Sequence, residues 1–216
     1  MTIRLYSYWR SSAAYRVRIA LNLKGLDHEI VPVSLLPGEA EHRQEAYRAR
    51  NPQMLVPFLE DGDFSTGQSQ AILEYLEETY PEPALLPVDS QQRAAIRSFC
   101  NSICCDIHPL NNLRVMQYLK SDLGVSDEQF NTWYAHWISE GFKAAETTAA
   151  TFAAAGPFVF GESVSFADTC LIPQVYNARR FKVPLDDYPR LVTVVDACNE
   201  LEAFRQAAPE QQSNDL

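Results

Sequence analysis

Apolar and polar side chains alternate along Ile3-Arg4-Leu5-Tyr6, the period of a short strand with one buried face. Val17, Ile19, Ala20, Leu21 and Leu23 then supply the apolar face of a helix over residues 12–24, which Gly25 stops. Strand-like runs follow at 28–33 and 58–60, with helical stretches near 41–49 and at 69–79. The order β-α-β, then β-β-α, is that of a thioredoxin-like α/β domain. After Pro81-Glu82-Pro83 the pattern changes to long helical periodicity over 90–119, 127–154, 166–181 and 188–207. The expected organisation is an α/β domain over 1–82 and an all-α domain over 88–216. Pro81, Pro83 and Pro87 stiffen the connection.

Composition narrows the function classes. A chain of 216 residues, 46% hydrophobic, can bury a sizeable core. Eighteen Lys plus Arg against 28 Asp plus Glu leave a formal charge of −10, which argues against nucleic acid or an acidic membrane surface as partner. No apolar run approaches the roughly 18 to 20 residues that span a bilayer, and residues 1–10 lack an apolar signal core, so a cytoplasmic protein is expected. The five cysteines include no C-x-x-C pair and read as reduced, buried thiols. Asp106, His108 and these cysteines lack the spacing of a zinc site, so no metal is expected.

The chemistry-bearing residues concentrate in the first domain. Ser11 or Ser12 stands at the strand-to-helix turn as the N-cap, between Arg10 on one side and Arg16 and Arg18 on the other. Unpaired N–H groups and the dipole of a helix start favour an anion, so a hydroxyl here serves either the helix alone or a ligand such as a thiolate. A thioredoxin carries C-x-x-C at this turn. Arg10-Ser11-Ser12-Ala13 has no cysteine, which disfavours thiol-disulfide exchange. Val56-Pro57 precedes a strand; an X-Pro bond is usually trans, but a cis bond would turn the Val56 backbone outward to pair with an extended peptide. Gln68-Ser69 opens the next helix, where a hydroxyl and a backbone N–H can grip a carboxylate. Arg16 and Arg18 are expected to pair with acidic neighbours and shape the turn, Glu74 and Glu77-Glu78 to form a solvated face, and Ser165 to Asp168 to cap a buried helix.

Five segments together resemble the zeta class of the glutathione transferases: residues 6–21, 51–57, 68–78, 105–112 and 178–183. The likeness covers essentially the whole chain. One departure is Ala13, where the family's Ser-Ser-Cys reads Ser-Ser-Ala. The resemblance implies the glutathione transferase fold, glutathione as cofactor and a homodimer. It implies that Ser11, Ser12, His42, Val56, Gln68 and Ser69 bind glutathione, with Ser11 or Ser12 beside the sulfur and Gln68 and Ser69 on the γ-glutamyl end. Arg10 and Arg180 would hold the substrate's carboxylates, and His108 and Asn112 would touch the substrate. His108 stands at a helix kink, where a purely structural role is the alternative.

The implied activity is cis-trans isomerisation of maleylacetoacetate to fumarylacetoacetate, a step in tyrosine and phenylalanine breakdown, by reversible addition of the glutathione thiolate. The alternatives within the fold are isomerisation of maleylpyruvate and dehalogenation of small 2-halo acids. A non-catalytic binding module would have lost the serine, Val56-Pro57 and Gln68-Ser69 elements, all of which are present.

Overall fold

The computed structural model describes residues 2–212, and the chain divides into two compact units. The first unit opens with β1 (Ile3–Ser7), α1 (Ser12–Leu23) and β2 (His28–Pro32), then α2 (Glu45–Arg50), β3 (Phe58–Asp61), β4 (Phe64–Gly67) and α3 (Ser69–Thr79). Its four strands lie in the order β2-β1-β3-β4. β1 runs parallel to β2, with Leu5 opposite Ile30, and antiparallel to β3, with Tyr6 opposite Phe58; β3 and β4 form a hairpin. This is the expected thioredoxin-like order.

Alternation along the strands sets up two cores. Leu5 and Leu59 are fully buried on one face of the sheet, while Tyr6 and Phe58 turn to the other. There they cluster with Tyr8, Val33, Tyr47 and Val56. The helix expected over 41–49 is interrupted, because Gln44 is extended (φ −72°, ψ 152°) and divides a single 3-10 turn, Glu41–Arg43, from α2. Glu77 corrects another expectation. It is not on a solvated face but in a buried ion pair with Lys24 at 2.8 Å, and Lys24 Nζ also donates to the carbonyls of Tyr80 and Pro83.

The second unit, Leu85–Cys198, is helical: α4 (Ser90–Asn101), α5 (Leu113–Ser121), α6 (Asp127–Thr151), α7 (Phe166–Arg180) and α8 (Pro189–Asn199). The periodic stretch over 90–119 is therefore not one helix. Between α4 and α5 the chain widens into a π-turn, Ser102–Ile107, and tightens into a 3-10 turn, His108–Asn111, where Pro109 cannot donate a backbone hydrogen bond. Gly141 on α6 makes room for the wide turn, since a Cβ there would lie 2.2 Å from Ile107 Cδ1.

Ser126 and Ser165 start α6 and α7 with reciprocal capping boxes. Asp168, fully buried in the second box, accepts from Val159 N, Ser165 N and Ser165 Oγ; burial nevertheless pushes its carboxyl up to about 6. Cys100, Cys170 and Cys198 are buried thiols as expected, whereas Cys104 is half-buried and Cys105 is exposed on the π-turn.

The expected second domain over 88–216 loses its end. From Asn199 onward the chain groups with the first unit, and α8 is separated from α9 (Glu202–Ala207) by the extended Leu201. Buried Arg18 donates Nε to Ala207 O at 2.9 Å, and Asn22 donates Nδ2 to Ala203 O at 3.0 Å, so α9 packs on α1.

Candidate active site

The sheet topology gathers the chemistry of the first unit at one end. β1 and β2 are parallel and finish there; β3, antiparallel to β1, begins there, opposite Tyr6; and β4 ends there at Gly67, opposite Phe58. The segments carrying Arg10 to Ser12, His42, Val56 and Gln68-Ser69 therefore leave the sheet at the same end, the end where open α/β sheets hold ligands.

The turn after β1 is fixed by Arg18. It donates Nη1 to Ser7 Oγ and Nη2 to Trp9 O, both at 3.1 Å, in addition to its bond to α9. Arg10 lies with its guanidinium 4.3 Å over the Trp9 ring and donates to Tyr8 Oη at 3.2 Å. Stacking and hydrogen bond together hold a cation next to the helix start. Ser11 is the N-cap: its Oγ accepts from Ala14 N at 3.2 Å. Ser11 is half-buried, whereas Ser12, the first helical residue, is buried.

His42 sits in the 3-10 turn after β2, buried, with Nδ1 3.3 Å from Ser34 O. Burial lowers its pKa below the usual 6.5, against the pull of the Ser34 carbonyl, so the ring is neutral at pH 7. The Val56-Pro57 bond is cis. The loop leading to it is pinned where Leu55 O accepts from Tyr47 Oη at 2.7 Å and Asn51 Nδ2 at 2.8 Å.

Gln68, the N-cap position of α3, has φ +68°, a conformation that costs an L-residue of order 1 kcal/mol or more and tends to mark functional positions. Its Nε2 donates to Gln53 Oε1 at 2.7 Å. Ser69 follows, buried, and its Oγ accepts from Arg16 Nη1 at 3.1 Å. Arg16 thus departs from expectation: it reaches this hydroxyl rather than an acid. Sequence reading assigned Arg16 no part in the site. The available signal was the helix itself, apolar on nearly every position from Ala14 to Leu21 yet carrying two cations, which must find internal partners.

In the second unit, Asn112 caps α5, accepting from Arg114 N at 3.1 Å, and its Nδ2 lies 3.5 Å from His108 Nε2. Arg180 is exposed at the end of α7, its guanidinium 5.0 Å over the Phe181 ring, which in turn stacks on Tyr134 at 3.7 Å. His108, Asn112 and Arg180 thus all present polar groups on the second unit.

The helix starts show what kind of ligand fits. α6 and α7 supply their own acids in the first turn, Asp127 and Glu128 in one and Asp168 in the other. α1 and α3 have none; each offers a serine and the positive end of its helix dipole instead. Two anion-seeking helix starts at one sheet end suit a ligand with a carboxylate and a second, separate anionic group, which a tripeptide thiolate provides.

Residues 5–84 match the family model described as glutathione S-transferase, N-terminal domain. Over 212 residues the chain is 47% identical to a probable maleylacetoacetate isomerase of Vibrio cholerae serotype O1, covering 98% of each protein. A holo structure of maleyl pyruvate isomerase, a bacterial glutathione-S-transferase in zeta class, superposes with TM-score 0.95 at 46% identity, covering 99% of this chain and 100% of that one. A maleylacetoacetate isomerase from Anaeromyxobacter dehalogenans, with dicarboxyethyl glutathione and citrate bound in its active site, superposes with TM-score 0.86 at 41% identity, covering 100% and 94%.

Proposed function

The chain belongs to the zeta class of the glutathione transferases, and we propose that it is a glutathione-dependent isomerase converting maleylacetoacetate to fumarylacetoacetate. The observation that carries this reading is the pair of acid-free helix starts, α1 and α3, at the same end of the sheet, each bearing a serine. Glutathione, when bound, supplies a thiolate that adds reversibly to the conjugated double bond and so permits rotation about it.

The residues of the chain do the rest. Ser11 and the N-terminal N–H groups of α1 stabilise the anionic sulfur: moving a thiol pKa from about 8.5 to near neutrality requires roughly 1.4 to 2.7 kcal/mol, within reach of a hydroxyl donor at a helix start. Ser12 belongs to the same turn. Val56 offers its backbone to the extended peptide, Gln68 and Ser69 take the γ-glutamyl end, and His42, being neutral, contributes a hydrogen bond rather than a charge. Arg10 and Arg180 are assigned to the substrate, whose carboxylates match a guanidinium fork; Arg10 also meets the negative charge that builds on the ketone oxygen. His108 and Asn112 are assigned polar contacts to the same molecule. We propose further that the reaction serves tyrosine and phenylalanine breakdown, in the cytoplasm, in a homodimer. An acidic chain supports a free enzyme over one bound to membrane or nucleic acid.

Maleylpyruvate is the second reading, favoured by the full-length likeness to the zeta-class maleyl pyruvate isomerase. The test assays both acids side by side, with and without glutathione. Glutathione-dependent formation of the trans product, faster from maleylacetoacetate, is expected. Faster turnover of maleylpyruvate would transfer the assignment to the second reading, and no isomerisation of either acid would overturn both.

A further inference from the structure

Arg16 is 2% exposed, and among the described residues its guanidinium makes one hydrogen bond, Nη1 to Ser69 Oγ at 3.1 Å, with Nε and Nη2 lacking a partner there. A buried cation in that condition is costly, because charges withdrawn from water are ordinarily paired. The single bond points at the first residue of α3, an 11-residue helix whose N-terminus carries no acid. Helix dipole, hydroxyl and uncompensated guanidinium therefore add at one place, and all three favour a negative charge there.

We infer that Arg16 is the positioning residue of the γ-glutamyl carboxylate site, acting through Ser69; this rests on the glutathione reading above. Nε and Nη2 are closed to solvent, so Arg16 does not touch the ligand. It acts in two ways. Because Ser69 Oγ accepts from the guanidinium, the hydroxyl proton is left to donate outward, and donation from a cation strengthens that outward bond. The full positive charge behind the serine also meets the carboxylate across a medium of low dielectric, where it counts for more than in water. The carboxylate in turn supplies a counter-charge that Arg16 does not find among the described residues. Ser69 and Arg16 lie 53 residues apart in the chain, so only the fold brings them together.

The test compares two ligands by calorimetry: glutathione, and 4-aminobutyryl-cysteinyl-glycine, which lacks only the α-carboxylate of the γ-glutamyl residue. Arg16→Gln is expected to weaken glutathione about tenfold or more while changing the affinity for the decarboxylated analogue less than about twofold, with kcat at saturating glutathione nearly kept. Arg16→Lys, which retains the charge and guards against a failure of the glutamine variant to fold, should fall between the two. In a Ser69→Ala background the further change Arg16→Gln should cost less than it does alone, since the two act in series. Equal weakening of both ligands would reduce Arg16 to scaffolding and overturn the inference. Failure of the unaltered protein to bind glutathione would instead remove the functional reading on which it stands.

Discussion

Ser11 holds the helix with its oxygen and keeps its proton for something else. The Oγ accepts from Ala14 N, so the O–H can be donated outward, and Ser11 is half-buried where Ser12 is buried. Ser11 is thus the better placed of the two to meet a sulfur, a distinction that two adjacent serines in a sequence cannot make. Ser11→Ala is expected to lower isomerase turnover by one to three powers of ten, to raise the pH at which the enzyme-bound thiol ionises, and to cost about 1 kcal/mol of stability through the lost cap. Ser12→Ala should cost less turnover. Near-full activity and an unchanged pH profile in the Ser11 variant would shift the role to Arg10.

His42 ties the stability of the fold to pH. Its folded pKa lies below 6.5, so as pH falls the unfolded chain takes up this proton first; the stability tied to His42 is present above about pH 6.5 and is lost on acidification below it. The difference in unfolding free energy between the unaltered protein and His42→Asn should therefore shrink between pH 7.5 and pH 5. An unchanged difference would mean that His42 is not buried neutral.

At the scale of elements, periodicity located what local patterning controls and missed what packing controls. α3 runs from Ser69 to Thr79 as read from the sequence, because its cap and its apolar face, Ile72, Leu73 and Leu76, lie within one short window. The stretch over 90–119 looked continuous because α4 and α5 keep the same period on both sides of the break. Pro109 signals the interruption, but the π-turn ahead of it depends on Gly141, more than thirty residues later on another helix.

That dependence decides between two opposed effects. Gly141→Ala would gain about 1 kcal/mol of helix propensity in α6, yet its Cβ would fall 2.2 Å from Cδ1 and 2.3 Å from Cγ1 of Ile107, a side chain only 1% exposed. Overpacking a buried site costs typically 1 to 3 kcal/mol, so net destabilisation is expected, measured as a lower denaturant midpoint. Ile107→Ala in the same chain should recover part of it. A stabilised Gly141→Ala variant would show that the π-turn yields freely.

Over the whole molecule, the sequence carried the two-part organisation, because the change from strand-and-helix to helix-only patterning falls close to the Ala84–Leu85 boundary. It did not carry the return of the C-terminal segment to the first unit, since nothing local in Glu202–Ala207 announces that Ala203 and Ala207 offer their carbonyls to Asn22 and Arg18. The same limit hid Arg16: its residue type was legible, its partner was not. Apolar residues left at the surface raise a further question at this scale. Phe64 is 43% exposed on the edge strand β4, its ring stacked on Tyr75 at 4.3 Å, and Tyr118 and Leu123 are more than half exposed at the end of α5. Exposed aromatics on an edge strand are a liability in a lone chain and an asset at an interface. We expect the proposed homodimer to cover Phe64, and the net charge of −10 per chain is no obstacle provided that the contact itself is apolar. Sedimentation at micromolar concentration should give about twice the 24.4 kDa of one chain, and Phe64→Glu, which sets a charge on the β4 edge without touching the assigned glutathione residues, should shift the mass toward the single-chain value. Raising the salt concentration should tighten or leave unchanged the association, because screening relieves repulsion between two acidic chains. A single-chain mass for the unaltered protein would remove the dimer from the proposal, while a Phe64 variant still at twice the mass would place the interface elsewhere.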